Sequence, residues 1–298
     1  MTNILVTGGC GFIGSNLVDM LIKNSANNVI VVDNLDTGKK ENCNDKATYI
    51  FQDLRDVFET PDSFEALKGV DIIFHLAALA RIQPSFERPG ETLDINVKGT
   101  ALVCEFARKN NIKVVYAGSS SFYGGVYLNP YAFSKWQGEE VCKLYSEVYD
   151  TSTAIARFFN VYGPRHLRTG PYATVIGIFE NQMLFNEPLT ITGTGEQRRD
   201  FTNVEDICNA LIAMSRDTWK GEVFNLGTAT NYSINELAAM FKNNIEYISA
   251  RPGEAWITLA DISKTQELLD WNLKVKLKDY VSSWLDKKFG KKGEKQND

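Results

Sequence analysis

The chain has few of the residues that build metal sites or disulfide frameworks. It contains only two histidines, His75 and His166, and five cysteines in 298 residues. The cysteines are odd in number and show no Cys-x-x-Cys spacing, so we expect free thiols in a reduced, cytoplasmic protein. Because no cysteine and histidine cluster is present, we also expect no dedicated metal site.

Long apolar runs and an excess of positive charge are missing as well. No segment approaches the roughly 20 apolar residues of a transmembrane helix. The segment Asn3–Val6 resembles a strand and has no basic leader before it, so we expect no secretory signal. The net charge is −5, whereas nucleic acids and anionic membranes select basic surfaces. We therefore expect no nucleic-acid partner and no membrane partner.

The first half of the chain alternates short apolar runs with amphipathic segments, which predicts βαβ units and a parallel sheet. Predicted strands are Ile4–Val6, Val29–Val32, Thr48–Phe51, Ile72–Leu76, Val114–Ala117 and Thr153–Phe158. Predicted helices are Phe12–Lys23, Ser63–Leu67, Glu91–Lys109 and Tyr131–Tyr149. Several strands carry Val and Ile at successive positions, as expected when helices cover both faces of a sheet. The fold class is therefore predicted to be α/β with a doubly wound parallel sheet.

The domain organisation follows from a change of rhythm after Gly163. Residues 1–163 are predicted to form the dinucleotide-binding domain, and 164–290 a smaller α/β lobe with an isolated strand near Tyr247–Ser249. Residues 200–227 are expected to pack back onto the sheet. The polar tail 291–298 lacks apolar anchors and is expected to be disordered.

A glycine-rich loop between the first strand and the first helix predicts a dinucleotide site. Glycine is needed where the backbone turns tightly and approaches a pyrophosphate, and the helix N-terminus offers free N–H groups. The candidate residues are Gly8, Gly11, Phe12, Ile13 and Gly14. Asp33 ends the second strand, where a carboxylate accepts hydrogen bonds from ribose hydroxyls, and Asn34 is grouped with it. Asp33 favours NAD over NADP, although Lys39 and Lys40 nearby soften that preference.

Two further segments are candidates for the same site. Asp53 and Leu54 follow the third strand and fit a position beside the adenine; an Asp that only caps a helix is the alternative. Leu76, Ala77 and Ala78 end the fourth strand with small residues, which would let a cofactor lie against the backbone. Ordinary core packing is the alternative for these small residues.

Tyr131 and Lys135 predict the chemistry. A Tyr followed four positions later by Lys occurs about once by chance in this composition, so its context matters. Asn129 and Pro130 open a helix, which places Tyr131 and Lys135 on one face, and Ser119 ends the preceding strand. A nearby cation and the helix N-terminus lower the pKa of a phenol and make it a general base. The alternative is an exposed Tyr and Lys beside a serine-rich turn.

The ordered motifs of the chain resemble a known family. They are the glycine loop, Asp33, His75–Ala78, Asn96 in Asn-Val-Lys-Gly-Thr, Ser119–Ser121, Asn129–Lys135, Arg157–Pro164, Gly195–Phe201 and Arg251–Glu254. From about residue 3 to 284 the chain is similar to the extended short-chain dehydrogenases/reductases of the nucleotide-sugar epimerase/dehydratase family, and most of all to UDP-hexose 4-epimerases. The resemblance implies a Rossmann sheet with a smaller substrate-binding lobe, and a bound NAD.

The resemblance also implies roles for individual residues. Ser119, Tyr131 and Lys135 would be catalytic, with Tyr131 and Lys135 also touching the cofactor and Ser119 also binding the substrate. Asn96 and Phe159 would contact the cofactor, and Phe159 would lie against the nicotinamide. Asn160, Arg199 and Arg251 would bind the sugar nucleotide, the two arginines through its diphosphate. A homodimer is expected through helices near 91–109 and 131–149.

The residues after Ser119 narrow the reaction. Relatives that dehydrate the sugar carry an Asp-Glu pair there, and those that decarboxylate glucuronate keep an acid at the second position. Here Ser120 and Ser121 stand at these places. This favours epimerisation, with a nucleotide-keto-sugar reductase as the alternative; a 4,6-dehydratase, a decarboxylase and a non-catalytic NAD-binding scaffold are less favoured.

The substrate is less defined by the sequence. Thr258 falls where such epimerases place a gatekeeping residue, and a small one leaves room for an N-acetyl group. The expected substrate is therefore a UDP-hexose or a UDP-N-acetylhexosamine, unless Thr258 is only a strand residue. The segment between Ser119 and Tyr131 is shorter than in relatives generally, which predicts a more open sugar pocket.

Overall fold

The computed structural model describes residues 1–290, so the predicted disordered tail 291–298 lies outside the described residues. The strands are β1 (Thr2–Thr7), β2 (Asn27–Val32), β3 (Thr48–Ile50), β4 (Ile72–His75), β5 (Lys113–Ser119), β6 (Thr153–Phe158), β7 (Val161–Tyr162), β8 (Leu189–Thr192), β9 (Arg198–Asp200), β10 (Thr202–Asn203), β11 (Lys220–Leu226), β12 (Asn231–Ser233) and β13 (Ile245–Ile248). The α-helices are α1 (Phe12–Ile22), α2 (Leu54–Glu59), α3 (Ile82–Glu87), α4 (Pro89–Leu93), α5 (Gly99–Asn110), α6 (Pro130–Tyr149), α7 (Val175–Leu184), α8 (Val204–Met214), α9 (Ile234–Phe241), α10 (Ser263–Leu269) and α11 (Leu277–Phe289).

Seven parallel strands form the central sheet in the order β11-β6-β5-β4-β1-β2-β3. The chain winds outward from β1 in both directions. Parallel neighbours need crossover connections, so helices cover both faces of the sheet. The predicted doubly wound α/β sheet of the Rossmann type is confirmed. All carboxyl ends of the strands meet at one edge, where the candidate site residues lie.

Alternating side chains of β1 show how both faces of the sheet are covered. Ile4 and Val6 point into a core shared with α1 and α8, whereas Leu5 points into a core shared with α2 and α5. Strand side chains alternate between faces with a period of two, so an all-apolar strand is stable only between two helical layers.

The second half of the chain builds a smaller core and also returns to the sheet. Helices α7, α9 and α11 pack around β8, with Phe179 and Phe241 fully buried. Two small pairings accompany them, β8 with β13 in parallel and β9 with β12 antiparallel. Between β9 and β12 in the sequence, the segment 200–227 places β11 at the edge of the central sheet, beside β6. Within residues 1–290 no helix is long and apolar enough to cross a membrane.

Two predicted helices differ from the structure. The predicted helix Glu91–Lys109 is α4, a π-helical segment Asp94–Lys98 and then α5. The π-helical segment turns the Asn96 side chain inward, where it hydrogen-bonds the backbone of Leu79. The predicted helix Ser63–Leu67 is instead two short 3₁₀ turns, 61–63 and 65–67, because the extended backbone of Phe64 separates them.

Candidate functional site

Two adjoining cavities open at the carboxyl ends of the central strands. The first, the glycine-loop cavity, has a volume of about 270 Å³ and is lined by the loop before α1, the end of β2 and the segment after β4. The second, the arginine cavity, has a volume of about 380 Å³ and lies between the sheet and the second lobe. The residues lining both are Phe12, Ile13, Ala80, Arg81, Gly118, Tyr131 and Phe158.

The glycine loop leaves the first cavity open down to the backbone. Gly8 adopts φ +73, and a Cβ there would stand 2.8 Å from the backbone nitrogen of Ala77. A Cβ on Gly14 would overlap the carbonyl oxygen of Gly8. Gly11 is the N-cap of α1 and carries no side-chain cap, so the first N–H groups of that helix have no side-chain partner. This arrangement fits a pyrophosphate, which needs close backbone approach and unpaired N–H donors.

Asp33 lies buried at the end of β2, on the wall of the same cavity. Its carboxylate accepts hydrogen bonds from the backbone N–H groups of Cys10 and Leu35, both at 2.8 Å. Burial raises the pKa of this carboxyl, and the two N–H donors counteract that rise. The backbone thus aims the carboxylate at the position predicted for a ribose.

The neighbouring predicted residues also line the glycine-loop cavity, namely Asn34, Asp53, Leu54, Leu76, Ala77 and Ala78. Asp53 in addition caps α2, because its side chain accepts from the N–H of Arg55 at 2.9 Å. Both interpretations of Asp53 therefore apply, cavity wall and helix cap. Hydrogen bonds from the Arg55 guanidinium hold the pKa of Asp53 below its usual range.

Two of the predicted cofactor contacts, Asn96 and Phe159, do not line the glycine-loop cavity. Asn96 is buried away from the cavity, where its amide bonds both backbone groups of Leu79 and the hydroxyl of Ser134. Phe159 is fully buried in the core, whereas its neighbour Phe158 lines both cavities. Phe158 is the last residue of β6 and Phe159 follows it directly. Successive side chains of an extended backbone point in opposite directions.

Ser119, Tyr131 and Lys135 meet where the two cavities join. The side chain of Asn129 caps α6 by accepting from the N–H of Ala132 at 2.7 Å, which fixes Tyr131 in the first turn. Tyr131 lines both cavities, Lys135 lines only the glycine-loop cavity, and Ser119 lines only the arginine cavity. Tyr131 therefore lies between a ligand bound in the glycine-loop cavity and a ligand bound in the arginine cavity.

The electrostatics of Tyr131 differ from the sequence-based expectation. Burial raises the pKa of the Tyr131 phenol, while a hydrogen bond with Ser119 and the charge of Arg81 lower it. The cation that lowers the pKa of Tyr131 is thus Arg81 rather than the expected Lys135. Burial lowers the pKa of Lys135 itself to about 8, and the negative charge of Glu139 opposes this fall. Its ammonium group lies 4.3 Å from the centre of the Tyr116 ring.

A buried ion pair that the sequence did not predict lies behind α6. Glu139 is fully buried and forms three hydrogen bonds with the guanidinium of Arg157, the shortest at 2.6 Å. Glu139 stands four residues after Lys135, so it continues the face that carries Tyr131 and Lys135. That repeated spacing of four was the signal that could have identified it.

All five predicted substrate residues line the arginine cavity, Ser119 together with Asn160, Arg199, Arg251 and Thr258. Asn160 donates from its side-chain amide to the Thr258 hydroxyl at 3.1 Å, which fixes both side chains on one wall. Arg199 is partly buried and lies 3.5 Å from the carboxylate of Glu254, and Arg251 is exposed at the mouth. The three-dimensional arrangement brings together segments separated by nearly a hundred residues.

Arg81 is a further cavity residue that the sequence analysis did not single out. It follows the small residues after β4 and lines both cavities. A single charged residue within the otherwise apolar stretch 76–82 was the available signal. Across residues 1–290 no group of three or more potential metal ligands lies together.

Comparison with known proteins identifies the family. The sequence model described as "NAD dependent epimerase/dehydratase family" matches residues 4–227. A putative UDP-glucose 4-epimerase of Methanocaldococcus jannaschii is 41% identical over an alignment of 302 positions, and the alignment covers 93% of this chain and 95% of the relative.

Two solved structures give the same result in three dimensions. The UDP-glucose 4-epimerase of Thermotoga maritima, solved with UDP-glucose, superposes with a TM-score of 0.90 at 32% identity and covers 96% of this chain and 99% of its own. The UDP-N-acetylglucosamine 4-epimerase of Methanobrevibacter ruminantium M1, in complex with UDP-N-acetylmuramic acid, gives 0.87 at 34% identity, with 97% and 98% covered. The chain therefore belongs to the NAD dependent epimerase/dehydratase family, the family that its ordered motifs predicted.

Proposed function

We propose that the protein is an NAD-dependent 4-epimerase of nucleotide sugars that acts on a UDP-hexose or a UDP-N-acetylhexosamine. The observation that carries this proposal is the place of Tyr131 at the junction of the two cavities. The phenol can reach a sugar hydroxyl held in the arginine cavity while the sugar carbon faces the glycine-loop cavity. Reversible oxidation of an alcohol needs a base at the hydroxyl group and a hydride acceptor at the carbon that bears this hydroxyl.

The glycine-loop cavity would hold the NAD. The N-terminus of α1 would face the pyrophosphate, Asp33 and Asn34 the adenosine ribose, and Asp53 and Leu54 the adenine. Leu76, Ala77, Ala78 and Phe158 would surround the nicotinamide end, and Lys135 would hold its ribose. When bound, NAD supplies the reversible oxidation and re-reduction of the sugar C4.

Tyr131 would remove the proton from the sugar 4-hydroxyl and return it to the oxygen of the product. Ser119 positions that oxygen and, with Arg81, opposes the rise in phenol pKa that burial causes. Arg199 and Arg251 would hold the diphosphate while the oxidised sugar rotates about it and presents its other face. Asn160 and Thr258 form the wall against which the sugar packs.

The residues beside Ser119 support epimerisation over the other reactions of the family. Ser120 and Ser121 line the arginine cavity, and the Ser121 hydroxyl donates to Ser119 at 2.9 Å. Neither hydroxyl can act as the carboxylic acid that expulsion of water requires. A keto-sugar reductase remains the second candidate function, because Tyr131 and Lys135 serve it equally.

The assembly and the location of the protein complete the proposal. Leu144 and Val148 on α6 are 53% and 57% exposed, and a homodimer through α4, α5 and α6 would cover them. Light scattering at micromolar concentration should then give twice the monomer mass; a monomer would contradict the dimer. The five free cysteines support a cytoplasmic location. We further propose 1–163 as the NAD-binding unit, with 200–227 joined to it, and 164–290 as the substrate lobe.

A panel of UDP-, dTDP- and GDP-sugars followed by NMR tests the proposed function. An epimerase converts at least one UDP-sugar into its C4 epimer without added cofactor, because its NAD is not consumed. A reductase instead needs stoichiometric reduced cofactor and a keto-sugar. Protein that releases no NAD on denaturation and converts no UDP-sugar with NAD added would contradict the epimerase. Failure to reduce any nucleotide keto-sugar with NADH or NADPH would contradict the reductase.

A further inference from the structure

Arg81 places a guanidinium group at the junction of the two cavities. Its Nε donates to the backbone oxygen of Tyr172 at 2.9 Å, and its Nη1 lies 3.3 Å from the backbone oxygen of Ala80. These neutral contacts fix the stem of the group. They leave N–H donors of the planar fork facing the cavities that Arg81 lines.

No carboxylate neutralises Arg81 within residues 1–290. The other partly buried arginines of the site region are paired, Arg157 with Glu139 at 2.6 Å and Arg199 with Glu254 at 3.5 Å. Around Arg81 the interacting groups are the phenols of Tyr131 and Tyr172, and burial lowers its pKa. A desolvated cation without a counter-ion is costly, so a site that keeps one is suited to a ligand that brings the negative charge.

We propose that Arg81 receives the carboxylate of a hexuronate, so that the preferred substrate is a UDP-hexuronic acid. The inference rests on the proposed 4-epimerase function and narrows its UDP-hexose to the form with a carboxylate at C6. In that sugar the carboxylate is attached to C5, next to the carbon whose hydroxyl Tyr131 deprotonates. Arg81 lies within electrostatic reach of Tyr131 on the same cavity wall. A guanidinium fork matches the two oxygens of a carboxylate.

The diphosphate of the substrate and the pyrophosphate of the proposed NAD are the other anions that Arg81 could bind. The pyrophosphate is expected at the N-terminus of α1, where the glycine loop allows close approach to the backbone N–H groups. Arg199 and Arg251 already supply cations in the arginine cavity, and neither lines the glycine-loop cavity. Arg81 lies instead at the junction with Tyr131, where the reacting end of the sugar belongs. The position of Arg81 therefore favours a carboxylate on the sugar over the diphosphate.

The test compares kcat/KM for UDP-glucuronate and UDP-glucose in the wild type, Arg81→Met, Arg81→Lys and the matched control Arg251→Met. We expect the wild type to prefer UDP-glucuronate. In Arg81→Met the ratio of the two kcat/KM values should fall about 10- to 100-fold, the effect of losing hydrogen bonds to a charged group. Arg81→Lys should recover part of this ratio. Arg251→Met should lower kcat/KM for both substrates and leave their ratio unchanged.

An unchanged ratio in Arg81→Met would overturn the inference. Equal loss with both substrates would assign Arg81 to the diphosphate, or to holding the segment at Tyr172, and would overturn it as well. If the wild type converts no UDP-sugar, the proposed function fails; calorimetric binding of UDP-glucuronate and UDP-glucose then decides the inference separately. Tighter binding of UDP-glucuronate that is lost in Arg81→Met would support it, and equal binding of both would refute it.

Discussion

Replacement of Glu139 by glutamine is expected to lower the free energy of unfolding and to shift the pH dependence of activity. The carboxylate accepts from Arg157 Nε at 3.0 and 3.1 Å and from Nη2 at 2.6 Å, and both side chains are almost completely buried. Removing one charge of a buried pair costs about 3–5 kcal/mol, because the other charge stays desolvated. A glutamine oxygen still accepts one of these hydrogen bonds, so we expect about 3 kcal/mol.

This loss can be measured by urea or thermal unfolding. With an unfolding entropy of about 2.1 cal/mol/K per residue over 298 residues, 3 kcal/mol lowers Tm by about 5 °C. Arg157→Met and the double variant Glu139→Gln/Arg157→Met complete a double-mutant cycle with Glu139→Gln. The double variant should be more stable than the sum of the single losses predicts, since it leaves no buried charge. Strictly additive losses would refute the reasoning.

The same substitution has a catalytic signature. The Glu139 charge raises the pKa of both Lys135 and Tyr131, so its removal lowers both values. Activity that needs a charged Lys135 and an ionised Tyr131 should then shift to lower pH on both limbs of its profile. A profile that keeps its position while Tm falls would show that Glu139 acts on stability alone.

Three other substitutions test separate parts of the site. Burial lowers the pKa of Lys135 from 10.5 to about 8, so the charged lysine destabilises the NAD-free fold below pH 8. Lys135→Met should therefore stabilise it by about 3 kcal/mol at pH 7, and the gain in urea unfolding should shrink as pH rises from 8 to 10.5. Gly14→Ala should abolish NAD retention, because its Cβ overlaps the oxygen of Gly8, whereas Gly90→Ala, with open space around it, should retain NAD as the wild type does. Thr258→Val removes one of the two acceptors of the Asn160 amide, the other being the backbone oxygen of Asp200, and should lower kcat/KM about 10-fold with every UDP-sugar. An unchanged value would show that Thr258 is not part of the site.

The fold could be predicted because its signals are local. The apolar strands with helices between them gave the doubly wound sheet, and the glycines before α1 specify a backbone path that few other residues allow. The spacing of Tyr131 and Lys135 fixes their helix face. Asn129 fixes where that helix begins.

The sequence is less informative where its pattern is compatible with two faces or two partners. Phe158 and Phe159 are equally apolar, and only the register of β6 decides that Phe158 faces the cavities. Asn96 matched a family motif, but its contacts depend on a π-helical segment that helical periodicity does not reveal. Within residues 1–290 no carboxylate pairs with Arg81, and this is a property of the folded chain, since the neighbours of Arg81 come from distant segments.

The most direct test of the account is the fate of the hydrogen at C4 during the reaction in D₂O. If Tyr131 moves only the hydroxyl proton and the C4 hydrogen returns to the same carbon, NMR of the wild-type reaction will show the C4 epimer without deuterium at C4. Tyr131→Phe should form that epimer at least about 100-fold more slowly, the usual effect of losing a general base. Deuterium at C4 of the product, or a Tyr131→Phe variant as fast as the wild type, would contradict the central claim.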